Sequence, residues 1–391
     1  MPDRLYADVD PYGYELLLTD AERSVLGRLR EVLDRDVAPL LDDHWERAEF
    51  PHEIREPIAA LRLMDPPELE EATPSSLFCG FRSFELARTD VSVGVFFGGH
   101  AWLFRNALLH GGSAQQVERI DIGVRSWATW GAFALTEPAH GSDVARGLET
   151  TARRDGDEWV LSGAKRWIGG AAYADLLAVF ARDEADGQVK GFLVERRAPG
   201  VTVEKIERKI ALRMVHNGHV TLDGVRVPED MRLQRVESFK DVNRLLRAMR
   251  TDVAWLASGA QAGAYRAALA YAGSRKQFGR PIAGYQLVQD KLATMLGNLT
   301  ASLGMAVRLS QLADADGFSD ADAALAKAFV GRRTRETVAL AREVAGGNGI
   351  TLDTAVARFF ADAEAIYTFE GTDEINQLVV GRSITGIAAF V

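Results

Sequence analysis

One cysteine, Cys79, occurs in 391 residues. That excludes a disulfide within the chain and a metal site built from several thiolates, and no metal is expected. Long apolar runs are also missing. Nothing approaches the roughly 20 residues of a membrane-crossing helix, and the opening MPDRLYADVDPYGYE carries no hydrophobic segment of the secretory kind. No membrane insertion is expected, and a reducing cytoplasm is the expected location. Positive charge is in the minority, with 46 Lys and Arg against 55 Asp and Glu, a net charge of −9 and a pI near 5.4. This balance argues against a nucleic-acid partner. The one local basic cluster, Arg332-Arg333-Thr334-Arg335, reads as a solvated helix face or a contact to a ligand phosphate. No Gly-x-Gly-x-x-Gly follows a strand pattern, so a Rossmann nucleotide site has no support. Internal repeats, low-complexity stretches and flexible linkers are absent as well.

What is present is a pattern in three parts. Residues 1–128 read as helical, with capping boxes at Thr19–Glu22 and Ser113–Gln116 and a Pro-rich acidic loop from Met64 to Ser76. From 129 to 235, short apolar runs alternate with Asp155-Gly156, Asp186-Gly187 and Asp223-Gly224. Asp-Gly between β-patterned runs signals a hairpin, and three of them predict an antiparallel sheet or barrel. From 236 to 391 the pattern is helical again, with runs at 240–274, 284–313, 319–345, 352–367 and 372–388.

Chemistry concentrates in a few places. Near the end, Gly346-Gly347-Asn348-Gly349 interrupts a helical run, and Glu370 lies in a Phe-Glu-Gly-Thr step between two amphipathic segments. Gly371 lets the backbone turn sharply and lets a ligand come close. Thr372 is a capping candidate for the helix that follows. A carboxylate so placed, framed by Tyr367 and Phe369, is either a general base held away from water or a solvated loop acid. Further back, Phe133 to Asp143 ends in a Gly-Ser-Asp turn whose amides and hydroxyls suit an anionic or carbonyl-rich ligand. Lys165-Arg166-Trp167-Ile168-Gly169-Gly170 offers an aromatic on which a flat ring could stack, though taken singly Trp167 reads more readily as core. Arg275 to Ile282 ends one helix and starts the next, and Arg250 sits in the helical run Leu245 to Trp255.

Taken together and in this order, these segments resemble the acyl-CoA dehydrogenase family along nearly the whole chain. The likeness is nearest the branch of glutaryl-CoA dehydrogenases and plant-type peroxisomal short-chain acyl-CoA oxidases. KIALRMVHNG from Lys209, RKQFGRPIAGYQL from Arg275 and the ending GRSITGIAAF carry it. The resemblance implies an α+β, mostly α fold with an N-terminal α-domain (1–128), a central antiparallel β-domain (129–235) and a C-terminal four-helix bundle (236–391). It implies FAD bound noncovalently between subunits of a homotetramer or homodimer, and a place in fatty acid metabolism. Residue by residue, Glu370 takes the place of the catalytic base. Phe133, Leu135, Thr136, Trp167 and Ile168 match positions that hold the flavin ring. Arg275, Gln277, Phe278, Gln286, Glu343, Gly346 and Gly347 match contacts to the FAD of a neighbouring subunit. Thr372, Glu374 and Phe390 match further cofactor contacts. Ser142 matches a position shared by cofactor and acyl-CoA, and Asn243, Arg250 and Gly371 match contacts to the acyl-CoA.

The implied reaction is α,β-dehydrogenation of a short-chain acyl-CoA to a trans-2-enoyl-CoA, with electrons passed to an electron-transfer flavoprotein. The alternatives are an acyl-CoA oxidase using O2, a dehydrogenase acting on a carrier-protein-bound acyl group, and a flavin-binding relative without dehydrogenase activity. Glu370 argues against the last. The sequence departs from the family pattern at several points. Gly94 stands where glutaryl-specific members carry an arginine for the distal carboxylate, while Phe96, Phe97 and Trp102 either fill the acyl pocket or belong to the core. Gly169 replaces a common threonine, as in the oxidase branch. Phe369 replaces a tyrosine before the base, and the acidic Met64–Ser76 loop replaces a glycine-rich one.

Overall fold

The computed structural model describes residues 4–69, 74–315 and 317–388, with every side chain there except those of residues 248 and 250. Helices α1 (Asp20–Val32), α2 (Leu41–Arg47), α3 (Arg55–Ala60), α4 (Ser76–Thr89), α5 (Val91–Gly98), α6 (Arg105–Gly111) and α7 (Ala114–Arg125) come first. Strand β1 (Gly131–Ala134), the short α8 (Val144–Gly147), β2 (Thr151–Asp155), β3 (Glu158–Gly169), β4 (Leu176–Asp183), β5 (Val189–Glu195), β6 (Val201–Lys205) and β7 (Asn217–Pro228) follow. Helix α9 (Phe239–Ser274), the small hairpin β8 (Lys276–Gln277) and β9 (Arg280–Pro281), then α10 (Gln286–Asp314), α11 (Asp320–Ala345), α12 (Val356–Thr368) and α13 (Asp373–Thr385) complete the order. The chain divides into two compact units, one of Met1–Gly94, Ile210–Met214 and Arg250–Val391, the other of Val95–Lys209 and Val215–Met249.

Local chemistry sets the helix starts in the first unit. Thr19 accepts from the Glu22 amide at 3.2 Å while Glu22 accepts from the Thr19 amide at 2.8 Å, closing the expected capping box of α1. The apolar stripe Val25, Leu26 and Leu29 then turns inward. Register among α9, α10 and α11 is fixed by a buried amide: Gln261 Nε2 donates to Ser302 Oγ and to Thr334 Oγ1, each at 3.0 Å. Trp255 of α9 donates to Ser310 Oγ of α10 at 2.9 Å, and its ring lies so close to α4 that a Cβ on Gly80 would come within 2.1 Å of it. The excursion Ile210–Met214 belongs to this unit because Asp362 accepts the Leu212 amide at 2.7 Å and Arg213 donates to the Trp45 carbonyl at 2.9 Å. Burial, with Asp90 nearby, pushes the Asp362 carboxyl up to about 7.

The second unit is built on a seven-stranded sheet, ordered β1-β4-β2-β3-β7-β6 with β5 on the other edge of β4. Residues of β4 alternate between two cores: Leu177, Val179 and Ala181 face one, Leu176, Ala178 and Phe180 the other. A strand apolar on both faces reads as a continuous run, as LLAVFA does. The sheet is mixed rather than wholly antiparallel, because β4 pairs parallel with β1 and then with β2. Parallel neighbours cannot be joined by a tight turn, and these are not: residues 135–175 lie between β1 and β4, and residues 156–175, which include β3, lie between β2 and β4. Asp155-Gly156 and Asp186-Gly187 do join antiparallel neighbours, β2 to β3 and β4 to β5. The third expected hairpin, at Asp223-Gly224, is absent. That pair lies inside β7, where three steps of β7 (Leu222 to Val225) oppose two of β3 (Gly163 to Leu161), with Gly224 at φ 60°. It is a β-bulge, a second use of the same left-handed glycine geometry.

Candidate active site

Two residues of positive φ meet between α12 and α13: Glu370 at 55° and Gly371 at 91°. A left-handed non-glycine residue costs about 1–2 kcal/mol, so surrounding contacts must hold it. Asn376 Nδ2 donates to the carbonyls of Gly371 and Thr372, both at 2.9 Å, and a Cβ on Gly371 would lie 3.1 Å from that nitrogen. Thr372 caps α13 by accepting the Ile375 amide at 3.3 Å, as its sequence position predicts. Phe369 and Glu370 are half-buried, and Glu374 is exposed. The acid is therefore held in one conformation beside a helix start, where the peptide dipoles favour an anion.

In the second unit, Phe133, Leu135, Thr136, Trp167 and Ile168 come together at one end of the sheet. Three steps of β3 (Lys165 to Ile168) oppose two of β7 (Val220 to Gly218), a second bulge, and Trp167 sits in it at φ 66°. The bulge turns the indole out of the core, so Trp167 is 52% exposed while its neighbour Ile168 is buried. Arg166 stacks on the indole at 5.1 Å, and the Arg166 amide donates to the Thr136 carbonyl at 2.8 Å, tying the two segments together. Leu135 and Ile168 are core residues, so at those positions the backbone rather than the side chain is available to a ligand. Phe133 is half-buried with its ring 5.1 Å from Phe180. Ser142 is exposed in the expected turn, where His140 Nδ1 lies 2.8 Å from Asp143 Oδ2.

A third group lies on the first unit. Arg275, Gln277, Phe278, Gln286, Glu343, Gly346 and Gly347 are all exposed. Tyr285 donates to the Gln277 carbonyl at 2.9 Å, Asn348 donates to Tyr271 Oη at 3.1 Å, and Lys291 of α10 pairs with Glu343 of α11. These contacts gather the hairpin, the start of α10 and the end of α11. Phe278, at the hairpin tip with φ 50°, is 94% exposed. Asn243 is exposed. The side chain of Arg250 and the whole of Phe390 lie outside the described residues.

Of the positions that depart from the family pattern, residues 70–73 of the acidic loop lie outside the described residues. Phe96 packs on Trp127 and Trp130 at 5.1 and 5.0 Å, and Phe97 is buried, so both are core. Trp102 is half-buried and donates to the Met249 carbonyl at 3.2 Å. A Cβ on Gly94 would meet Ala87 Cβ and Leu256 Cδ1 at 3.2 Å, leaving an arginine no space unless they move. At Gly169 the nearest atoms to such a Cβ are 3.9 and 4.0 Å away, ordinary contact distances.

Sequence models of three domains of one family match in chain order: the acyl-CoA dehydrogenase N-terminal domain over residues 19–120, the middle domain over 132–225 and the C-terminal domain over 239–385. The chain is 31% identical over 385 residues to the mitochondrial short-chain specific acyl-CoA dehydrogenase of Bos taurus, covering 95% of this chain and 93% of that one. It belongs to the acyl-CoA dehydrogenase family. A probable acyl-CoA dehydrogenase of Bacillus subtilis, YngJ, is 30% identical over 375 residues, with 94% and 98% covered. A structure of a glutaryl-CoA dehydrogenase from Mycobacterium smegmatis in complex with FADH2 superposes with a TM-score of 0.91 at 31% identity, covering 99% of this chain and all of that one.

Beyond the residues that family resemblance points to, the fold holds a buried pair that sequence reasoning missed. Lys165 Nζ donates to Glu137 Oε1 at 2.7 Å and to the Leu135 carbonyl at 3.3 Å, while Glu137 accepts the amides of Glu149 and Thr150 at 2.6 and 2.9 Å. Burial pulls Lys165 down to about 8 against the pull of Glu137. The pair fixes the strand end that carries Leu135 and Thr136. The signal was present in β3, since Lys165 occupies the same inward phase as Trp159 and Leu161.

Proposed function

We propose that this chain catalyses FAD-dependent α,β-dehydrogenation of a short-chain acyl-CoA thioester to a trans-2-enoyl-CoA, with Glu370 removing the α-proton. The observation that carries the reading is a glutamate held at φ 55° just before a glycine hinge and a capped helix start; the resemblance gives that position to the base. An α-C–H beside a thioester is a poor acid. A positioned carboxylate, desolvated when an acyl chain covers it, brings the two acidities closer.

The residues present fit FAD. Trp167, turned outward by its bulge, offers a face to a flat ring, and Thr136 and the backbone at Leu135 and Ile168 lie beside it. When bound, FAD supplies the acceptor for the β-hydrogen as hydride. The exposed hairpin group with Phe278 at its tip suits contact with the cofactor of another copy of the chain, which gives so exposed an aromatic a partner. By the resemblance, Thr372 and Glu374 would add cofactor contacts, and Ser142, Asn243, Arg250 and Gly371 would contact the acyl-CoA. Trp167→Ala should weaken FAD about tenfold with the fold intact, because half of that indole lies outside the core. Flavin titration followed by absorbance checks this, with circular dichroism as the control.

Although glutaryl-CoA dehydrogenases are structural neighbours, the closed surroundings of Gly94 favour an acyl group without a distal carboxylate. Anaerobic mixing of the yellow protein with butyryl-CoA, isobutyryl-CoA and glutaryl-CoA tests both points. The first two should bleach the flavin and glutaryl-CoA should not; bleaching by none of them sinks the reading. Electrons would then pass to an electron-transfer flavoprotein. The space at Gly169 favours a second reading, direct reoxidation by O2. On that reading peroxide forms in air at the rate of turnover, and Gly169→Thr lowers peroxide several-fold while leaving bleaching unchanged.

A further inference from the structure

Lys327 lies on the inner face of α11, among Ala323, Ala324, Ala328 and Gly331, and is almost wholly buried. A lysine there must find acceptors. It finds two main-chain carbonyls, Tyr367 at 2.8 Å and Gly371 at 2.5 Å. Those residues stand three before and one after Glu370. The small residues on α11 make the reach possible: a Cβ on Gly331, one turn further along, would lie 3.8 Å from the Tyr367 ring.

We propose that Lys327 is a positioning residue for Glu370, its ammonium fastening the carbonyls on either side so that the acid stays in its left-handed conformation. The proposal rests on the reading of Glu370 as the base. Three observations bear on it. Tyr367 lies in the last turn of α12, so its carbonyl is one of those left without an intrahelical partner, and Lys327 supplies a donor. The Gly371 carbonyl takes both Lys327 and Asn376, which clamps the Gly371–Thr372 peptide, the second after the acid. The carboxylates whose charge reaches Lys327 are Asp373, Glu370 and Glu374. Nearby, Arg332 pairs with Asp373 at 2.7 Å, and Arg335 lies 4.5 Å from the Tyr367 ring and 2.9 Å from Glu364. Burial outweighs those carboxylates and draws Lys327 down to about 8, so the clamp is charged at neutral pH and discharges in mildly alkaline solution.

The test is the rate of anaerobic flavin bleaching by butyryl-CoA in the FAD-loaded Lys327→Met and Lys327→Arg variants, followed from pH 5.5 to 9.5. Lys327→Met should slow bleaching about 10–100-fold, the scale of a misplaced reacting group, with FAD content and butyryl-CoA affinity unchanged. Its acid limb should move to higher pH, because a cation that favours ionised Glu370 is gone. Lys327→Arg keeps donors and charge and should recover most of the rate. A Lys327→Met enzyme with wild-type rate and limb overturns the proposal, as does a rate loss matched by equal losses of FAD and substrate binding. If Lys327→Met does not fold, the wild type and Lys327→Arg decide: the wild-type rate should fall above about pH 8 while the arginine variant stays level, and coincident profiles overturn the idea. Glu370→Gln separates the two layers. If it keeps full rate, the base assignment fails first; if it is inert while Lys327→Met behaves as wild type, only the positioning role fails.

Discussion

Glu370→Gln should keep its FAD and reduce flavin at a rate lower by at least about 10²–10⁴-fold, the ordinary contribution of a general base. The amide is isosteric and can occupy the same left-handed backbone. The hydrogen bonds of Asn376, Thr372 and Lys327 there go to main-chain atoms around the residue. The turn therefore survives the substitution, and what is lost is the capacity to take a proton. Glu370→Asp should fall between the two, since shortening the side chain by one methylene withdraws the carboxylate from a fixed backbone. Single-turnover bleaching under anaerobic conditions reads the step directly, with the flavin spectrum of each variant as the loading control. Full activity in Glu370→Gln would place the base elsewhere. Loss of FAD along with activity would instead make the acid part of the cofactor site.

How much of this was legible beforehand depends on the range of the interaction. Capping boxes at Thr19 and Ser113 are local chemistry, and both formed as written. The helical runs carried a period that burial later confirmed. Asp223-Gly224 misled because a left-handed glycine serves a hairpin and a bulge equally well; the partner strand decides, and it is more than fifty residues away. The parallel pairing of β1 and β2 with β4 was hidden for the same reason. At the site, the resemblance pointed to Glu370, Trp167 and the Arg275 hairpin. It did not show that Trp167 is carried outward by a bulge, nor that Ile168 is core. Lys165 and Lys327 did not stand out as functional residues because a lysine in a pattern reads as surface by default, although the alternation of β3 already turned Lys165 inward. Only the packing shows Lys165 reaching Glu137 and the Leu135 carbonyl, and Lys327 holding the carbonyls of Tyr367 and Gly371.

The largest effect on stability should come from Glu85, a residue outside the candidate chemistry. It is fully buried on α4, receiving Arg30 through two bonds at 2.9 and 2.8 Å and Arg88 through two at 3.0 and 2.5 Å. Arg30 in turn stacks over Tyr6 at 4.7 Å. Burial alone would raise this carboxyl, but the two guanidinium groups overcome it and hold Glu85 down to about 2. Glu85→Gln leaves two largely buried cations facing a neutral amide, a loss of about 3–5 kcal/mol. For a chain of 391 residues that corresponds to a fall of roughly 4–6 °C in the midpoint of thermal unfolding. The pH dependence has a definite sign. A carboxyl depressed in the folded state stabilises above its ordinary pKa and loses that contribution as pH falls towards 2. The gap between wild type and Glu85→Gln should therefore be constant above about pH 5 and close progressively below it. Removing one arginine as well, in Glu85→Gln with Arg88→Met, should return part of the loss, since the cost lies in the stranded charge rather than in the missing bonds. Thermal scans of the three proteins between pH 3 and 8 check the prediction. A gap that stays constant down to pH 3 would mean that Glu85 stabilises by packing and not by charge.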